Sequence, residues 1–400
     1  MFFLSKLKKI LIILYSSKII FKDPNKTDIL VLDDQGADRL KPLIENYNYC
    51  ILPIRVSSIN ELYFSLKVLN NLIRNIRKTK LSTAYFCSII EAIGPKLIIT
   101  SIDNSLQVSD IAKILSKKFN FLAIQNAARY ELDEYGKKHS NRFFIPEFAC
   151  FGNFDKSLYR KHNVKVKKFF VCGSLNLSLF KDYLKKLSRK KKTNNYKKYD
   201  ICLVSEASRG WDKLFPGVEK SIAKVAEFTI RLAKKHNLKL AFVAKRPKFI
   251  FEKSVFSKKP IKRENEAHKN EIKFYKKYLK VNFKFLQRNV KKYSSYHVML
   301  NSNLTIAMMS TLLRESLALR GKVLACNFTN YKIWNFPIQG ICSLNNMNFE
   351  EFEKRVLKLL SISHRNYILS LKKKTKYLIY FNKSNSTQDL LKKKIKSFMV

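Results

Sequence analysis

Acidic residues are scarce in this chain. Only 30 Asp and Glu stand against 79 Lys and Arg, a formal net charge of +49. The excess points to anionic partners such as nucleic acid, acidic lipid or phosphorylated substrates, without naming one. Lys dominates the cations, and Asn, Ile, Phe and Tyr abound beside it, so translation from an AT-rich genome is a second explanation of the charge. Paired cysteines are also lacking. The seven Cys (50, 87, 150, 172, 202, 326 and 342) form no Cys-x-x-Cys, and several sit in apolar runs such as Phe169-Phe170-Val171-Cys172. This excludes a disulfide framework or a cysteine metal site and leaves small buried hydrophobes in a reducing compartment. The six His show no ligand spacing, so no metal is expected.

Long apolar runs are missing as well. Near the start, Lys6, Lys8 and Lys9 precede the run Ile10 to Tyr15, and Lys18 interrupts the next patch. A spanning helix needs about 18–20 apolar residues, and Tyr15-Ser16-Ser17-Lys18 is a poor cleavage site for a signal peptide. Residues 1–27 therefore read as a basic amphipathic segment, lying on an anionic membrane surface or packed on the protein's own core. The expected location is the cytoplasm, with a peripheral position on the inner face of the cytoplasmic membrane under the first of these readings. No RRM, KH, zinc-finger or helix-turn-helix pattern is legible, so no specific nucleic acid partner is expected.

What is present is enough apolar material for two cores, at 46% hydrophobic in 400 residues. Strand-like runs alternate with helical stretches, which predicts α/β architecture with parallel sheets covered on both faces. In the first half the runs are Ile29 to Leu32, Cys50 to Ile54, Leu97 to Thr100, Phe121 to Ile124 and Phe169 to Cys172. Between them, Leu62, Leu66, Leu69 and Ile73 predict a long helix over 59–76 capped by Ser57-Ser58. Residues 185–198 have little to bury and a dense run of like charge, which makes them a basic linker. The second series has strands at 201–204, 240–244, 283–286, 304–307 and 323–326, with helices at about 219–236, 265–279 and 312–319. Ser386-Thr387-Gln388-Asp389 has the form of a capping box before a basic helix. The expected domains are thus 28–184 and 199–385, each Rossmann-like, followed by a C-terminal basic helix at 386–400.

The chemistry is expected at strand ends. After the strand at 304–307 come Ser310 and Thr311, then at once a helix carrying Glu315. A helix N-terminus at the carboxyl end of a parallel strand suits a phosphate, and Glu315 lies one turn along, within reach of a ribose. The competing reading makes Ser310 a simple cap and Glu315 a solvated acid. Ser205 and Glu206 follow the first strand of the second series, and Lys245 and Arg246 follow its second, where they would neutralise a diphosphate or simply be solvated. Asp33 and Asp34 after the first strand, and Asp103 after a later one, are candidates for a base, or else turn and cap residues.

The stretch from Ser310-Thr311-Leu312 through Glu315-Ser316-Leu317-Ala318 to Gly321-Lys322-Val323 resembles the donor-domain segment of GT-B type glycosyltransferases of bacterial surface-carbohydrate biosynthesis. Supporting it in the same order are Ser101-Ile102-Asp103-Asn104-Ser105, Gln125-Asn126 followed by Arg129, and Phe148 to Gly152 leading to Gly173-Ser174. The resemblance implies two Rossmann-like domains facing across a cleft. It also implies a nucleotide-sugar donor in the second domain, used as substrate with no cofactor or metal. A surface-glycan or lipid-linked acceptor would lie in the first domain, near Gln125, Asn126, Arg129, Gly173 and Ser174, with Asp34 or Asp103 as base. Two positions depart from the pattern. The Glu-x7-Glu pair of many retaining enzymes is missing, since position 323 is Val, and Ala127 stands where Gly is expected. Glycerophosphotransferases that build polymers are similar in outline but for an absent His-Gly signature. A non-enzymatic basic scaffold binding anionic lipid or nucleic acid is the remaining alternative.

Overall fold

The computed structural model describes residues 17–400 apart from 57, 130–141, 189–197, 208–209, 214, 255–256, 372–373 and 383. The first 16 residues, and with them most of the proposed amphipathic segment, lie outside the described residues. So does most of the 185–198 stretch.

The chain forms two compact units. The first takes in the described residues of 17–127, 142–179 and 380–400, and the second takes in Phe180–Ile379 with Ala128 and Arg129. In the first unit, β1 (Lys18–Ile20) pairs in parallel with β4 (Glu61–Tyr63) as a small ribbon. The main sheet holds β2 (Ile29–Leu32), β3 (Tyr49–Leu52), β5 (Leu97–Thr100), β6 (Asn120–Ile124), β7 (Phe144–Cys150) and β8 (Lys165–Val171). Their spatial order is β3-β2-β5-β6-β7-β8, every pairing parallel. The order reverses between β2 and β5, and such a switch point opens a crevice at the carboxyl ends of those strands.

Helices α1 (Ala37–Ile44), α2 (Leu66–Ile76), α3 (Leu81–Ile93), α4 (Leu106–Leu115) and α5 (Asn153–Lys161) belong to this unit, and α6 (Leu175–Ser188) begins in it and passes into the second at Phe180. The helix predicted over 59–76 is a correction. Its first part is β4, and α2 starts only after Ser65, whose Oγ accepts the Val68 N–H. β4 is drawn into extended form by β1, which the apolar spacing alone does not reveal. The proposed linker begins inside α6, because Lys185 and Lys186 are tolerated at an exposed helix end.

The second unit carries β9 (Tyr199–Val204), β10 (Leu240–Val243), β13 (Phe285–Leu286), β14 (Ser302–Ala307), β15 (Lys322–Asn327) and β16 (Ser343–Asn345) in the order β13-β10-β9-β14-β15-β16, again all parallel. An antiparallel hairpin of β11 (Phe249–Ser254) and β12 (Ser257–Glu264) is inserted after β10. Helices α7 (Val218–Lys235), α8 (Glu266–Tyr278), α9 (Ser294–Leu300), α10 (Thr311–Ala318), α11 (Phe349–Ser361), α12 (His364–Leu371) and α13 (Lys374–Leu378) complete the unit. The switch point here is between β9 and β14.

The last helix, α14 (Thr387–Lys396), starts at Ser386 in a complete capping box with Asp389 and belongs to the first unit. Leu391 and Ile395 are fully buried there against Ala37, Leu40 and Ile44. The 380–400 stretch is tied to the first sheet by Tyr380, whose N–H donates to Phe151 O, and by Thr387, whose Oγ1 donates to Cys172 O at 2.6 Å. Gly173 sits under this return in a left-handed conformation, φ +89°. A Cβ there would stand 2.4 Å from Tyr380 O and 2.9 Å from Thr387 Oγ1.

All seven cysteines are free, and all but the half-buried Cys50 are buried. Burial pushes the thiols of Cys87, Cys172 and Cys202 up to about 12. Among the described residues, no helix is long and apolar enough to cross a bilayer.

Gly94 has φ +67° with nothing within 4 Å of a built Cβ. Gly94→Ala should therefore cost only the left-handed penalty of about 1–2 kcal/mol, and Gly173→Ala clearly more, about 2–4 kcal/mol, because of the added clash. Denaturant unfolding of the two variants measures the difference; equal losses would refute the close approach.

Candidate functional site

At the second switch point, β9 ends at Val204 and hands on to Ser205 and Glu206, while β14 ends at Ala307 opposite them. Glu206 is almost fully buried. Its Oε2 accepts the Met308 N–H at 2.5 Å, and its two oxygens accept the Met309 N–H at 2.9 and 3.1 Å. One carboxylate thus joins the ends of two adjacent strands. Burial pushes this carboxyl up to about 7, against the pull of the two N–H groups and the Lys245 ammonium.

Lys245 and Arg246 follow β10 and lie beside it. Lys245 Nζ donates to the carbonyls of Glu206 (3.4 Å) and Ala207 (3.3 Å). Burial lowers its pKa, with Arg246 and Arg288 acting in the same direction and Glu206 and Glu271 opposing. The two loops are clamped together by Glu271 of α8, which sequence reasoning did not pick out. Glu271 accepts the Ser205 hydroxyl, the Lys245 N–H at 2.7 Å and the Arg246 N–H at 3.0 Å. The Glu206 N–H is also within reach of the buried Tyr275 hydroxyl, at 3.3 Å. A signal for Glu271 did exist: helical spacing from His268 to Phe274 and Tyr275 puts this acid on the buried face of α8.

Around α10 the structure rearranges the expected roles. Ser310 is the N-cap, its Oγ accepting the Leu312 N–H at 3.3 Å. Thr311 Oγ1 accepts the Ala128 N–H at 2.9 Å. The backbone donors that just precede the helix, at Met308 and Met309, already serve Glu206. Glu315 is not the solvated acid of the competing reading: it is buried, and both its oxygens accept from the Tyr296 hydroxyl at 2.9 Å. Periodicity places Glu315 one turn into the helix but does not show that α9 brings Tyr296 over it.

In the first unit, Asp33 and Asp34 follow β2 at its switch point. Asp33 is buried with φ +77°, and its Oδ2 accepts from Arg55 Nε at 2.6 Å. Burial raises the Asp33 carboxyl, as does its hydrogen bond with Asp34, against the pull of the Gln35 N–H and Arg55. Asp34 is exposed. Its partial burial would raise its carboxyl, but hydrogen bonds with Asp33 and Ser58 and the Arg55 charge hold it below the usual value. Within the pair the Asp33 carboxyl is thus shifted up and the Asp34 carboxyl down. Asp103 differs: it is buried and accepts the Tyr159 hydroxyl at 2.5 Å.

The remaining predicted residues are fasteners as placed. Gln125 is buried, donating to Ala127 O at 3.0 Å and Asp155 Oδ1 at 2.9 Å and accepting the Phe151 N–H at 2.8 Å. Asn126 donates to Ser101 O at 3.2 Å. Arg129 is buried, its carbonyl taken by the Arg314 guanidinium, and Ser174 Oγ accepts the Leu177 N–H at 3.2 Å at the start of α6. Among the described residues, no group of three or more His, Cys, Asp or Glu gathers to hold a metal ion.

The chain is similar to solved structures over nearly its whole length. It matches S. aureus MnaA in complex with UDP at a TM-score of 0.53 and 12% identity, covering 93% of this chain and 95% of that one. It matches the H444N variant of the wall teichoic acid polymerase TagF at 0.51 and 10%, covering 92% and 89%. The fold is GT-B-like. Two Rossmann-like units in one chain now have both their own topology and these likenesses behind them. Residues 248–395 match a family described as "putative O-antigen biosynthesis protein". No curated protein matches significantly.

Glu206 also gives this GT-B-like chain a defined pH response. Its folded pKa, about 7, lies above the usual carboxyl value of 4.5, so the folded state holds the extra proton between those values. Its contribution to stability is full below about 4.5 and is lost as pH rises through 7. Relative to Glu206→Gln, the wild type should lose about 2–3 kcal/mol between pH 5 and pH 8. Urea unfolding of both proteins at the two pH values measures it; parallel pH profiles would refute the buried, proton-holding carboxyl.

Proposed function

We propose that the protein transfers a sugar from a nucleotide-sugar donor to a surface-glycan or lipid-linked acceptor. The observation that carries this reading is the gathering of Glu206, Lys245 and Arg246 where β9 and β14 diverge, the place at which open parallel sheets hold ligands. The family match over 248–395 supports surface carbohydrate as the setting, and the UDP named for the S. aureus structure supports the donor class.

In this mechanism Lys245 and Arg246 stabilise the charge that develops on the departing nucleoside diphosphate. Lys245 is fixed for this by two carbonyls, and Glu271 fixes the backbone of both residues, so little reorganisation is needed. Ser310 and Thr311, at the head of α10, follow the Met308 and Met309 N–H groups that Glu206 holds. Asp34, exposed and ionised, takes the proton of the acceptor hydroxyl.

Calorimetry with UDP-sugars and other nucleotide-sugars tests the donor site. Lys245→Ala should weaken binding by about 1.5–3 kcal/mol, the range for a hydrogen bond to a charged group. Asp34→Asn should leave donor binding unchanged and lower the transfer rate by about 100-fold or more. If no nucleotide-sugar binds the wild type, the scaffold alternative replaces the enzyme.

A further inference from the structure

Helix α2 is amphipathic in the reverse sense. Leu66, Leu69, Ile73 and Ile76 recur at helical spacing along one stripe, and all four are exposed, Leu66 by 81% and Ile73 by 63%. The side turned inward carries Val68, Asn71 and Asn75. Those asparagines are specifically housed: Asn71 Nδ2 donates to Ser88 O at 3.3 Å, and Asn75 Nδ2 donates to Ser88 Oγ at 3.3 Å and Glu91 Oε2 at 2.8 Å. The helix is therefore anchored by its polar face, and its apolar face is left outward. The apolar surface extends beyond it. Phe64 N–H donates to Ile20 O, which brings β1 beside the start of α2, and both Ile19 and Phe21 are exposed.

The charge on α2 and the turn after it has one sign. Lys67, Arg74, Arg77, Lys78 and Lys80 are exposed on α2 and the turn after it, and no Asp or Glu occurs between Glu61 and Glu91. We propose that this face seats the protein on an anionic lipid bilayer, with the leucine and isoleucine side chains inserted at the headgroup boundary and the basic residues against lipid phosphates. A second copy of the chain is the less suitable occupant, because two-fold pairing of the face would set its cations against themselves. This inference is independent of the donor-site reading, since it concerns only α2 and β1.

The test uses the full chain and co-sedimentation with vesicles of phosphatidylcholine alone or mixed with phosphatidylglycerol, at one physiological ionic strength throughout, so that wild type and variants meet the same screening. The wild type should bind the mixed vesicles and bind the neutral ones weakly. The double variant Leu66→Ser, Ile73→Ser should bind the mixed vesicles at least about tenfold more weakly, with an unchanged melting temperature because both side chains are already in water. Should that variant fail to fold, Arg74→Glu with Arg77→Glu serves in its place with the same expected loss. Wild-type indifference to the mixed vesicles would overturn the proposal. So would variants that bind them like the wild type, including the case in which light scattering shows only that a dimer has become a monomer.

Discussion

Every pairing within the two six-stranded sheets is parallel, and the rest of the structure follows from that constraint. Parallel strands need crossovers, crossovers place helices on both faces, and the strands between them have no wet side. β2, β5 and β15 are accordingly buried at every position. With side chains sealed in on both faces, polar groups can gather only at the strand ends. The carboxyl ends are where the chain has just left the sheet and neighbouring connections diverge, so Glu206, Lys245 and Asp34 occur there rather than along the strands.

The two switch points use acids differently. In the second unit the Glu206 carboxylate is enclosed, bonded to two backbone N–H groups and raised toward neutrality, with the buried Glu271 beside it holding the loops. In the first, two adjacent carboxylates divide the work, one buried against Arg55 and one in water. A buried acid near neutrality can change charge within the physiological range, while an exposed, ionised one is a steady proton acceptor.

Much of the fold was legible because doubly buried strands are continuous apolar runs. Ile29–Leu32, Leu97–Thr100 and Leu240–Val243 could be read directly. β7 was harder, since Pro146 and Glu147 interrupt it; Glu147 belongs there because Lys394 of α14 reaches it at 2.6 Å, a contact no local pattern encodes. The helix expected over 59–76 starts late for a related reason: residues 61–63 pair with β1, a contact far off in sequence, and only 66–76 are helical. Within the site, Ser205, Glu206 and Lys245 were legible from their place after strands. The clamp by Glu271 was not, because it acts on Ser205 from 66 residues away. Glu315 was found, but its Tyr296 partner was not, since spacing fixes the face of a helix and not what is packed on it.

The return of α14 to the first unit bears on how the chain folds as it is made. Leu391 and Ile395 belong to a core whose other members, such as Ile29, Leu40 and Leu97, emerge from the ribosome several hundred residues earlier. Until residues 387–396 are synthesised, the first sheet has an uncovered apolar patch beside Gly173 while the whole second unit is being completed. Ordinary domains can finish folding one after another during translation. Here the unit that starts first must finish last, and its early form carries that patch through the synthesis of the second unit.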